Sequence, residues 1–318
     1  NFHSEHHLLY LDTKNKLFLF LNSAIRSFAY ALVSVFLPAF ILHEMNQPLW
    51  VVFGFFAVYF AVATLLCPPI AKITSRYGSK IGLLIGSVFL IPYLLCMGIL
   101  TQDASLLWVG AILGGLFDGL FFIPFHSDMS QICNQKKSGQ SIAWLNITLI
   151  LATAIAPLAG GIYIDMFSAK SLLFAAAGLT AISIIPLLLS PKKHKPQQFL
   201  FSNSLTRIKK NPQSGDIFTA YVGAALVWLV GSITWPLIMF IELENYTLIG
   251  SITSATTILI IALIHYAGKR INKTRGVILL PKIVKTDQAT WAGIALATFL
   301  GFMSLPLIAI LDTIRRAC

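Results

Sequence analysis

Charge is scarce in this chain. Charged side chains make up 11% of its 318 residues, against about 25% in an ordinary soluble domain, and two water-facing domains of this total size need more than that to stay dissolved. Acidic residues are the rarer sign, 12 against 23 basic ones. The four cysteines include no C-x-x-C pair, which excludes a disulfide framework and a cysteine zinc site. No G-x-x-x-x-G-K-S/T is present to cradle a nucleotide phosphate, so ATP does not drive the chain directly, and H-E-x-x-H and the G-x-S-x-G elbow are also missing. We expect no enzyme, no cofactor and no metal. The trio His3, His6 and His7 has loose ligand spacing without Cys or carboxylate geometry, and reads as part of a floppy tail. Short-period repeats and alternating ten-residue strand patterns are absent, which excludes fibrous and β-barrel classes.

What is abundant is apolar. Hydrophobic residues account for 57% and the mean hydropathy is +0.79, which also excludes a disordered chain. A helix needs about 20 apolar residues to cross the hydrocarbon layer. Nine runs meet or approach that length: residues 17–42, 49–70, 81–100, 105–125, 141–164, 170–189, 216–241, 246–267 and 289–311. In lipid the backbone must satisfy itself within each segment, so the fold class is all-α, a polytopic bundle in a lipid bilayer. The first run is too long for a signal peptide and no cleavage site follows it.

The net charge of +11 would suggest nucleic acid on a soluble protein. Here the cations sit in short turns, and nucleic acid is not an expected partner. Lys72, Arg76 and Lys80 follow the second run; Lys136 and Lys137 follow the fourth; six cations lie in 190–215 after the sixth; Lys269, Arg270, Lys273 and Arg275 follow the eighth. The intervening turns are neutral, acidic or carry only Lys170. By the positive-inside rule the N-terminus and all the basic turns are cytoplasmic, and the cell membrane (plasma or bacterial inner) is the expected location.

The polar stretch after the sixth run divides the chain into an N-terminal tail (1–16), a six-helix bundle (17–190), a basic cytoplasmic linker (191–215) and a partial second bundle (216–318). Within the linker, 199–208 reads as an amphipathic stretch on the anionic leaflet. The two bundles echo each other. Arg76, Gly78 and Lys80 lie in a basic turn between the second and third helices of the first, and Gly268 and Lys273 in the matching turn of the second. The second bundle is shorter between Arg275 and Pro306 than the first between Gly78 and Pro124, by most of a helix. We read its third helix as missing or aberrant, through biology or a sequence artefact. The chain opens on Asn1 and stops at Cys318 close after an apolar run, so a fragment is expected.

At these residues the chain resembles the major facilitator superfamily, whose members pair two six-helix bundles across a cytoplasmic linker. Its motif G-x-x-x-D-R/K-x-G-R/K falls on Ala71, Ser75, Arg76, Gly78 and Lys80. The last three fit; the glycine and the aspartate of the motif do not. The second copy keeps Gly268 and Lys273 and has Asn272 for the aspartate, so neither copy carries the aspartate that the family uses in a conformational charge latch. Ala156-Pro157-Leu-Ala-Gly160-Gly161 looks like the G-P-x-x-G-G motif of family antiporters; close helix packing with a proline kink is the other reading of Pro157, Gly160 and Gly161. The fourth run lacks the arginine that proton-coupled antiporters carry there.

A charge at mid-membrane costs several kcal/mol unless a partner or a wet cavity receives it. Arg26 and Asp118 lie within the first and fourth runs, on helices that line the central cavity in the family the chain resembles. They are candidates for a solute- or ion-binding pair, a gating ion pair, or a structural one. Asn22 and Asn146 are polar groups in apolar helices that bind a solute or a neighbouring helix. Trp235-Pro236 marks a kink near the site, while Trp144, Tyr30, Trp228 and Thr234 are weaker candidates. His126, Asp128, Glu242 and Glu244 read as solvated helix ends. Asn245-Tyr-Thr247 is a sequon, meaningful only in a eukaryote. The resemblance implies a monomeric secondary transporter of a small-molecule solute, with a proton as a candidate coupling ion. The alternative is a non-transporting relative, an assembly factor or inactive paralogue.

Overall fold

A computed structural model describes residues 2–99, 104–133, 138–189, 206, 210–212 and 214–271. Every regular element among them is helical. The first eight apolar runs all fall on helices. The first occupies α1 (Phe2–Ser34), the short α2 (Leu37–Ala39) and a π-helical turn, Phe40–Glu44; the second is split between α3 (Leu49–Leu65) and α4 (Cys67–Tyr77). Single helices carry the next four: α5 (Ser79–Ile99), α6 (Ala104–Cys133), α7 (Ser138–Met166) and α8 (Ala169–Leu189). The seventh comprises α9 (Ser214–Leu229), a second π-helical turn, Val230–Thr234, and α10 (Trp235–Leu243); the eighth is α11 (Tyr246–Ile271). Among the described residues four helices are long and apolar enough to cross a membrane, and a fifth span arises if α3 and α4 count as one. The ninth run, the shortened third helix of the second bundle, Lys273 and most of the linker lie outside the described residues.

Proline placement explains the breaks. Pro68 and Pro69 open α4, and their rings exclude the carbonyls of Thr64 and Leu65 from helical bonding; the chain bends by 46° there. Pro38 and Pro236 occupy the first turns of α2 and α10, where the missing N–H costs nothing. Gly78 is the whole connection between α4 and α5. It adopts φ 98° and donates its N–H to the Thr74 carbonyl at 2.8 Å, a backbone state that other residues rarely adopt.

The start of the chain is helical. Residues upstream of Leu17, read as a tail, continue α1 back to Phe2. No proline or glycine stands between Phe2 and Lys16 to stop the helix.

In the first bundle α5 packs between α6 and α8, α1 lies against α7 and α8, and α3 lies against α6. The core holds Phe55, Tyr93, Leu94, Phe117 and Phe121, each almost wholly buried. Outward-facing side chains are apolar as well: Leu65 is 76% exposed and Ile99 67%. That inversion fits a bundle whose surroundings are lipid tails rather than water. Among the described residues the principal contact between the first bundle and the following unit is α7 against α11.

Candidate functional site

Four helices of the first bundle bring polar groups together in its core. On α1, Asn22, Ser23 and Arg26 share one face and are all buried, because positions three and four apart stack on a helix. Arg26 donates from Nη2 to Ser27 Oγ at 3.1 Å. Its guanidinium carbon lies 3.4 Å from the centre of the Phe121 ring and 5.7 Å from that of Phe122. A desolvated cation over a ring gains about 2 kcal/mol, which offsets part of the cost of burying it. Among the described residues Arg26 Nε has no hydrogen-bond partner.

Asp118 stands one helical turn before Phe121 on α6. It accepts a hydrogen bond from the Tyr59 hydroxyl of α3 at 3.3 Å. Tyr30 of α1 faces the same hydroxyl, and the charges of Arg26 and Asp118 act on each other and on both tyrosines. The Tyr30 ring packs on Phe117 at 5.5 Å, and Tyr59 on Tyr93 of α5 at 6.2 Å. The Tyr93 hydroxyl is buried and has no partner among the described residues. The structure thus gathers the two candidate charges in one cluster, though not as a direct ion pair: the guanidinium rests on Phe121 and the carboxylate on Tyr59. Polar atoms without a partner among the described residues, beside one buried and one half-buried charge, leave hydrogen-bonding capacity that a polar solute or a proton could take up.

The remaining candidates separate. Asn22 donates from Nδ2 to the Ser183 carbonyl of α8 at 2.6 Å, the helix-bridging reading. Ser183 lies just upstream of Pro186, whose ring removes a helix donor. Trp235 begins α10, after the π-helical turn that includes Thr234. Trp228 of α9 meets Phe60 of α3 edge-on at 5.6 Å. The side chains of Asn146, Trp144, Asp128 and the histidine trio lie outside the described residues. His126, Glu242 and Glu244 are exposed.

The basic turn is tied to its own bundle. Lys80 Nζ donates to the Leu188 carbonyl at the end of α8, 3.4 Å away, and the Arg76 guanidinium lies 5.4 Å from the Tyr77 ring centre. Gly268 is on α11.

Pro157, Gly160 and Gly161 lie where α7 meets both α1 and α11. A β-carbon at Gly160 would overlap the Leu32 carbonyl, one at Gly161 the Tyr246 carbonyl, and one at Gly250 the Pro157 carbonyl. Ser254 Oγ accepts the Leu158 N–H at 3.0 Å across the same contact. Close by, Asp165 Oδ2 accepts the Thr247 N–H at 3.0 Å. Aromatic rings extend the seal at that end: Phe36 with Tyr246 at 5.8 Å, Phe240 with Tyr246 at 5.1 Å and His43 with Phe240 at 5.3 Å. Among the described residues, the end that lacks the basic turns is therefore packed across the two units.

Sequence reasoning missed Tyr59, Tyr93, Phe121, Asp165 and Ser254. Gly250-x-x-x-Ser254 was a readable small-residue pattern. The others carry no local signal.

The profile of the Major Facilitator Superfamily matches residues 19–315. A search of curated protein sequences finds no match. Among solved structures, a D-xylose-proton symporter aligns with 95% of this chain and 79% of its own, at 11% identity and a TM-score of 0.68. The nucleoside transporter NupG aligns with 95% and 79%, at 15% identity and a TM-score of 0.66. A peptide transporter (POT) aligns with 89% of this chain and 59% of its own, at 15% identity and a TM-score of 0.52.

Proposed function

The chain belongs to the major facilitator superfamily, and from that premise we propose that it is a secondary active transporter moving a small polar solute by alternating access. The observation that carries this reading is the polar cluster inside an apolar bundle, in which Arg26 and Tyr59 are buried and Asp118 and Tyr30 half-buried beside them. Structure alone does not require charges there, and intramembrane ionisable groups are retained chiefly for function. The two units rock about the α7–α11 contact, and the cluster opens to one side of the bilayer at a time. The end sealed by Tyr246, Phe240 and His43 faces the exterior and the basic turns face the cytoplasm.

Arg26 and Asp118 are each held by a replaceable partner. A solute hydroxyl or amide displaces Tyr59 from Asp118, and a solute acceptor reaches the free Nε of Arg26. One structural neighbour is by name a sugar–proton symporter. We take the proton as the coupling ion, with Asp118 as its acceptor: a proton on Asp118 leaves the Arg26 charge unbalanced and changes how α1 and α6 prefer to pack. The protein acts as a monomer.

Uptake into proteoliposomes tests the proposal, using the full-length protein and labelled D-xylose, uridine and dialanine with and without an inward proton gradient. Uptake of at least one solute is expected, with a tenfold or greater loss in Asp118→Asn. Uptake of none of them by protein that melts cooperatively, or uptake indifferent to Asp118→Asn, contradicts the proposal and favours a non-transporting relative.

A further inference from the structure

The N-terminus of α11 is capped twice, by groups on different bodies. A helix start leaves backbone N–H groups without intrahelical partners. Asn245, the residue before α11, takes one of them itself, accepting the Leu248 N–H on Oδ1 at 2.8 Å. The Thr247 N–H goes instead to Asp165, at the far end of α7 in the first bundle, 3.0 Å away. The Asn245 cap travels with α11 wherever the second unit goes. The Asp165 cap exists only while α7 and α11 are closed on each other at this end. Its anionic oxygen also meets the positive end of the α11 dipole, so the contact is charge-assisted.

We propose that Asp165 is a conformer-specific latch, a positioning residue that holds this end of the transporter shut by capping α11 in trans. Gly161 packs on the same first turn of α11, while the Gly250 contact and the Ser254 bond lie deeper along the same pair of helices; together they set how closely the helices approach. Asp165 adds an interaction that opening must break and that nothing in α11 replaces. Solute binding that pulls the two units together at the opposite end must therefore release this cap. The inference rests on the alternating-access reading above.

Distances between spin labels at Phe167→Cys and Glu242→Cys test it, in full-length protein with the four native cysteines replaced by serine and reconstituted in lipid nanodiscs. Phe167 is 67% exposed and Glu242 is exposed, one on each side of the closed end. The unaltered latch should give a dominant short distance and a minor long one. Asp165→Ala should shift the ratio about fivefold toward the long distance, the usual size of a lost cap, and Asp165→Asn by less, because an uncharged acceptor remains. Asn245→Ala should leave the ratio unchanged, since it removes a cap present in both conformers. A ratio unmoved by Asp165→Ala, with the long distance still populated, overturns the latch and leaves alternating access intact. An equal shift in Asn245→Ala also overturns it, because the carboxylate then merely firms up a helix end. A single distance in every variant, with and without solute, removes both the latch and the reading beneath it.

Discussion

At the scale of single residues, the account turns on how a buried charge is received. Arg26 and Asp118 were legible in the sequence because charges inside apolar runs are rare and costly. Their true neighbours were not. Tyr59 and Tyr93 read like any aromatic of an apolar helix, yet one holds Asp118 and the other leaves a buried hydroxyl unsatisfied. Tyr59→Phe keeps the ring packing and removes the donor. Because the solute must displace this hydroxyl from Asp118, we expect the substitution to lower the KM for uptake about threefold or more, the equivalent of one modest hydrogen bond that no longer competes, while the melting temperature changes little; paired transport and thermal-shift measurements check this. At Gly161 a side chain meets the Tyr246 carbonyl. Gly161→Val should weaken the α7–α11 closure and raise labelling of a cysteine placed at the buried Phe240 at least fivefold, read with a maleimide reagent.

At the scale of elements, hydropathy is a local property, and so the first eight apolar runs predicted helices that the structure contains. Interruptions inside those runs were only partly legible. Residues 49–70 read as one span, although Pro68-Pro69 divides it into α3 and α4. The π-helical turn at Val230–Thr234 lies beside the kink expected at Trp235-Pro236, while that at Phe40–Glu44 had no such signal. The Gly78 turn makes an element-level prediction: alanine there must adopt φ near 98°. Gly78→Ala should cost about 1 kcal/mol, visible as a lower midpoint of thermal aggregation in detergent. Lys80→Ala should cost no more than about 0.5 kcal/mol, because the contact of this half-buried cation with a helix C-terminus is long, at 3.4 Å, and open to solvent screening.

At the scale of the whole molecule, the pairing of α7 with α11 was beyond sequence reasoning. Asp165 and Thr247 are far apart in the chain and meet only because α7 packs on α11. The Pro157, Gly160 and Gly161 cluster pointed to tight packing without naming the partner helix. Orientation belongs to this scale too. A cysteine at Ser168 should label from outside intact cells with a membrane-impermeant maleimide, and native Cys133 only after permeabilisation.

Alternating access is tested most directly by holding the closed end shut. Cysteines at Asp165→Cys and Thr247→Cys occupy positions whose side chain and backbone lie 3.0 Å apart in the closed form. Solute flux is then measured in proteoliposomes before oxidation, after it, and after reduction. We predict that oxidation stops flux and that reduction restores it. Flux that continues undiminished with the bridge demonstrably formed would contradict the account.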